Sequence, residues 1–185
     1  MKKRCSFHLQ PFNQNDPFLN IHIKGAVERQ GTRFTVGYEI TGDLSQIHFP
    51  SPWKAPERKS HLWEDTCLEF FIGPESSSKY WEFNCSPSGD WNVFRFEDYR
   101  NHGHGGVILQ EEAFAVLPFM VHREFQAFSL VLEMDAGEII KKEERVEMGV
   151  NAIIKRKTQN MSFWALRHGS TKPDFHERKD FLIKL

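Results

Sequence analysis

Leu62–Trp91, LWEDTCLEFFIGPESSSKYWEFNCSPSGDW, is the stretch whose reading decides the fold. Gly, Pro and Ser turns divide it into short pieces, and within each piece apolar and polar residues alternate, which predicts three β-strands. On the first strand Leu68, Phe70 and Ile72 share one face. Trp63, Asp65, Cys67, Glu69 and Phe71 share the other, on the expectation that the strand begins as early as Trp63. On the second, Trp81, Phe83 and Cys85 oppose Tyr80, Glu82 and Asn84. One face of each strand is apolar, as a core requires. The other mixes rings with carboxylates and an amide, the composition of a sheet surface shaped to hold a polar ligand.

The same alternation runs outward in both directions. Residues 20–29 and 32–41 flank Gln30-Gly31 and predict an antiparallel hairpin, with Phe34, Val36, Tyr38 and Ile40 on one face. Three prolines make Phe49–Pro56 a loop. The first three strands are expected at 66–72, 79–85 and 91–96, and further ones at 113–117, 120–124, 127–134, 146–155, 161–166 and 181–185, with a Gly/His loop at Asn101–Gly106 and a solvated charge run at Lys141–Arg145. No segment shows sustained helical spacing. Short strands punctuated by turns about every ten residues predict an all-β antiparallel sandwich.

The chain has 185 residues, enough for one domain with a real core, expected to span 1–185. A formal net charge of -1 argues against nucleic acid or an anionic membrane surface as partner, and no apolar run reaches the length of a membrane span. The start MKKRCSFHLQPF lacks the apolar stretch of a signal peptide. Cys5, Cys67 and Cys85 form an odd set without CxxC spacing, so reduced thiols and a cytoplasmic location are expected, with Cys67 and Cys85 as small buried residues. The sequence carries no mark of oligomeric state.

LWEDTCLEFFIGP, YWEFNCSPSGDW and FWALRHGSTKPDFHERKDFLIKL together resemble the DOMON-like proteins, which belong to the superfamily of the family 9 carbohydrate-binding modules. The resemblance covers Trp63 to the C-terminus and implies a sandwich of jelly-roll type that binds sugars without catalysis or, in a cytochrome branch, haem. It implies a slot with Trp63 and Trp164 as walls, Glu69 and Asn84 reaching the sugar hydroxyls, and Arg167 and His168 at the edge. The chemistry agrees, because flat indoles suit the C–H faces of a pyranose while carboxylate and amide suit its rim. The chain departs from the sugar-binding modules in lacking an Asp-rich loop of calcium spacing.

Other chemistries remain open. Glu69 and Glu82 could serve as the paired carboxyls of a glycosidase, which stand about 5–10 Å apart. His102 and His104 form an HxH pair with Glu111 or Glu112 nearby, though glycines around them favour a solvated loop over a metal site, and no metal is expected. Haem would need axial ligands from Met120, Met134, Met148, Met161, His168 or His176. Arg167 and Lys172 could meet an anionic sugar, unless Asp174 pairs with Arg167. The leading expectation is binding of a saccharide, with no cofactor.

Overall fold

Alternation between Cys67 and Phe96 becomes three antiparallel neighbours in a computed structural model that describes residues 2–15, 20–51, 55–102 and 109–185. They are β5 (Cys67–Pro74), β6 (Tyr80–Cys85) and β7 (Trp91–Phe96). The other strands, numbered along the chain, are β1 (Lys2–His8), β2 (Gln10–Pro11), β3 (Ile21–Gln30), β4 (Arg33–Gly42), β8 (Leu109–Gln110), β9 (Phe119–Arg123), β10 (Ala127–Asp135), β11 (Val146–Lys155), β12 (Met161–Ala165) and β13 (Ile183–Lys184). Among the described residues they form a five-stranded sheet, β1-β3-β4-β10-β9, and a larger one, β2-β12-β11-β5-β6-β7-β8, with β13 paired to β11. All strand pairings are antiparallel, and the two sheets make a β-sandwich.

Period two places Phe34, Val36, Tyr38 and Ile40 of β4, Phe128, Leu130 and Leu132 of β10, and Val146, Met148, Val150 and Ala152 of β11 in one core with Leu68, Phe70, Ile72, Trp81 and Phe83. Phe70 and Phe83 stack at 4.5 Å across β5 and β6. Tyr38 crosses the sandwich and donates its hydroxyl to the Glu69 carbonyl at 2.5 Å, so a polar group buried in the core is satisfied and ties one sheet to the other. The expected hairpin forms with Gly31 at φ 67°, the positive φ that a two-residue hairpin loop requires.

Three expectations change. β1 pairs along β3 where no strand was expected, because of its core-side residues only Phe7 is strongly apolar. The 113–117 segment is not a strand: Phe114 and Leu117 turn into the core from an irregular segment that Pro118 ends. Trp63 stands not on β5 but in a short 3-10 turn, Leu62–Glu64, that leads into it.

The outer face of the larger sheet is covered. A second apolar cluster of Phe71, Tyr80, Phe94, Phe96 and Phe181 lies there, with Trp63 and Phe175 packed on it. The cover is the chain between β12 and β13, which folds back as a strap. Arg167 bonds Asp180 at 2.6 Å, and Arg178 donates to the carbonyls of Pro74, at the end of β5, and of Lys79, just before β6. Phe181 fits over the sheet because Gly149 has no Cβ, which would stand 3.0 Å from the ring.

Candidate functional site

Register across the larger sheet lines up polar residues in one row. Asn151 faces Glu69, Glu69 faces Asn84 and Asn84 faces Asn92 on successive strands. One step along, Phe71 faces Glu82 and Glu82 faces Phe94. Above these rows lies a cleft of about 320 Å³, lined by Glu69 and Glu82 below, by Trp63, Phe94 and Phe96 on the β7 side, by Ile153 and Phe163 on the β12 side, and by Arg100, His102, Pro173, Phe175 and His176 from the covering loops. Trp63 meets Phe94 edge-on at 5.7 Å, and Phe163 meets Phe175 at 6.2 Å, so an aromatic pair stands on each side.

The floor is polar and incomplete. Glu69 is 2% exposed and its Oε1 has no hydrogen-bond partner, and Asn151 Nδ2 in the same row also has none. Burial, then the neighbouring Glu82, push the Glu69 carboxyl well above the carboxylate range, although Cys67 opposes the shift. Glu82 accepts one hydrogen bond, from Asn84 Nδ2 at 2.8 Å. Burial raises its pKa to about 7 against the lowering effects of Asn84 and Arg100.

His176 sits among Phe71, Tyr80 and Phe96. The Arg100 backbone N–H donates to the Tyr80 hydroxyl at 3.1 Å, which directs the phenolic proton to His176 Nδ1, 2.8 Å away. The ring then carries its proton on Nε2, 3.7 Å from Glu82 Oε2. Burial, aided by Arg100, lowers the His176 pKa to about 3, so the ring is neutral. Arg100 holds φ 52°, an uncommon conformation for a side-chain-bearing residue, in the turn that presents its N–H to Tyr80. Its guanidinium bonds Asp174 at 2.9 Å, and Asp174 also accepts from Tyr99 at 2.5 Å.

Of the residues singled out in the sequence, Trp63 and Glu69 line the cleft together. Asn84 is fully buried beneath it, accepting from the Cys67 thiol at 3.6 Å while positioning Glu82, so it supports the floor. Trp164 corrects the expected slot. It pairs with core-facing Ala152, is 3% exposed, and packs between the sheets, on the opposite face from Trp63. Phe163, one residue earlier, has the parity that reaches the cleft. Arg167 is held by Asp180, not Asp174, and anchors the strap. His168 lies against the Gln10 carbonyl at 2.9 Å and the Phe12 ring, so it fastens the N-terminal segment.

Candidate metal and haem ligands scatter. His104 lies outside the described residues, and His102 Nδ1 is 2.9 Å from the Arg95 carbonyl. Among the described residues no group of three metal-ligating side chains gathers. Met134 and Met148 belong to the core and Met120 to the surface, and of the haem candidates only His176 lines the cleft.

No protein-family model matches the chain, and no curated protein matches it in sequence. A solved structure from Bacteroides uniformis, provisionally described as a carbohydrate-binding protein, is similar in fold: the TM-score is 0.66 at 16% identity, covering 95% of this chain and 83% of that one. At that identity the likeness establishes a shared β-sandwich architecture.

Proposed function

We propose that the chain binds a small polyhydroxylated ligand, a carbohydrate, in the cleft on the outer face of the larger sheet, as a binding protein. The observation that carries this is the unpartnered Oε1 of Glu69 on the floor of an aromatic-walled cleft. A buried carboxyl oxygen without a partner costs the fold free energy unless something donates to it, and a ligand hydroxyl is such a donor. Trp63 and Phe94 supply an apolar wall for C–H faces, Phe163 and Phe175 the other, and Glu82 a second polar contact. Sugar binding also fits the provisional description of the Bacteroides uniformis protein of similar fold, and the resemblance to DOMON-like proteins.

A titration against a panel of mono- and oligosaccharides, followed by tryptophan fluorescence, tests this. Saturable change that disappears in Trp63→Ala and persists in Trp164→Phe is expected. A flat response over the whole panel, or equal loss in both variants, contradicts it.

A second reading follows from Glu82 itself. A carboxyl with a pKa of about 7, one strand from a second carboxyl, has the ionisation that general acid–base work needs. Turnover of aryl glycosides that Glu82→Gln abolishes would mark an enzyme. Binding without turnover would leave the binding reading alone.

A further inference from the structure

Resting on the same cleft, we propose that its ligand carries a protonated amine, as an amino sugar does. The geometry points there because the floor holds two carboxyls and, among the described residues, no cation free to meet them. Glu69 and Glu82 are one diagonal step apart on β5 and β6, 2% and 7% exposed. Glu82 receives a single amide donor, and Glu69 Oε1 receives none.

Among the described residues, the surrounding titratable and charged groups supply no cation hydrogen-bonded to either carboxyl, and Arg100 acts on Glu82 only through space. Cys67 comes from β5 and Tyr80 from β6, and both are kept protonated by burial. His102 and Arg100 follow β7, and Asp174 and His176 come from the strap. Arg100 is the one permanent cation lining the cleft among the described residues, and Asp174 already engages it at 2.9 Å. His176 is buried with Nδ1 committed to Tyr80. The walls extend the argument: Trp63, Phe94, Phe96, Phe163 and Phe175 turn aromatic surface toward the cleft, and ring faces attract cations.

An ammonium group entering the cleft would find carboxyls below and rings beside it. A neutral sugar would bring no charge to favour their ionised forms, and an anionic one would disfavour ionisation further. Burial favours the acid form of both carboxyls, raising Glu69 well above the carboxylate range and Glu82 to about 7. An arriving ammonium favours the ionised form, so its binding expels protons to the buffer near neutral pH.

Isothermal titration calorimetry near neutral pH, in two buffers of different ionisation enthalpy, tests this on the full chain. The probes are glucosamine, galactosamine and mannosamine, their N-acetyl forms, the parent hexoses, and putrescine as an amine that is not a sugar. At least one hexosamine should bind about tenfold or more tightly than both its parent and its N-acetyl form, the gain expected of one charge-assisted hydrogen bond. Its binding should release protons, and Glu69→Gln and Glu82→Gln should each reduce the preference, with melting temperatures confirming that both fold. Equal or tighter binding of a hexose or N-acetyl form, or binding without proton release, overturns the amine proposal and leaves the carbohydrate reading standing. Binding of putrescine alone upholds the amine and removes the carbohydrate. No binding by any probe overturns both.

Discussion

Each sheet of the sandwich has an outer face, and each outer face carries glutamates on strands of similar pattern. On the five-stranded sheet Glu28 accepts from Arg4 at 2.6 Å and lies 2.5 Å from Lys2, and Glu39 pairs with Lys24 across β3 and β4. Its partner Lys2, first of all through their hydrogen bond, holds Glu28 below the ordinary carboxylate pKa. On the larger sheet the strap buries the carboxyls and, among the described residues, no free cation lies beside them, so Glu69 and Glu82 move the opposite way. The difference lies in what covers the face, not in the strands. Water and lysines make the first an ordinary protein surface, while the strap makes the second a cleft with an unpartnered carboxyl oxygen on its floor.

The largest expected effect separates the two faces of the larger sheet. Trp164→Ala removes a core ring and should lower unfolding free energy by about 3–5 kcal/mol in chemical denaturation, while sugar affinity measured below its unfolding transition stays within about twofold. Trp63→Ala should reverse the pattern, with affinity lost and stability little changed. Next comes a reversal of sign between the sheets. Glu82 binds its proton more tightly folded, with a pKa of about 7 against 4.5, so its contribution to stability is complete below 4.5 and is lost as pH rises through 7. Glu82→Gln should therefore be increasingly more stable than wild type over that window, by a difference on the order of 3 kcal/mol above it. Glu28→Gln should lose stability relative to wild type above 4.5, because its folded pKa is depressed, and match it in acid. Parallel denaturation curves across pH check both signs.

Smaller effects follow. Tyr38→Phe removes the hydrogen bond that crosses the core and should cost about 1–2 kcal/mol, since the Glu69 carbonyl loses its phenolic donor. Lys24→Ala should change stability by less than about 0.5 kcal/mol, because its pair with Glu39 is half-exposed. A large loss there would show that the five-stranded sheet's outer face is more than a solvated surface.

Strand alternation was legible wherever one face is uniformly apolar, as in β4, β10 and β11, and so was the mixed face of β5 and β6. The strand β12 was expected but its facing was not legible, because Met161–Ala165 offers large apolar residues to both sides, and only its register with β11 assigns Trp164 inward and Phe163 outward. That register is a long-range pairing with no local mark. The strap was equally hidden: Arg167–His176 reads as a polar loop, and only folding brings Phe175 and His176 over the sheet, while its Arg167 and His168 serve as fastenings. Arg100 and Phe94 came without a motif, the first from a turn and the second from a strand that reads as ordinary.

The contrast between the two outer faces is tested most directly by a carboxyl-carbon NMR titration that follows Glu28, Glu69 and Glu82 in the same sample. The account expects Glu82 to ionise near 7, Glu69 to resist ionisation well beyond the usual carboxylate range, and Glu28 to ionise below it. If all three ionise together in the ordinary range, the floor of the cleft is neither buried nor unpaired, and the account of this face as a binding site is wrong.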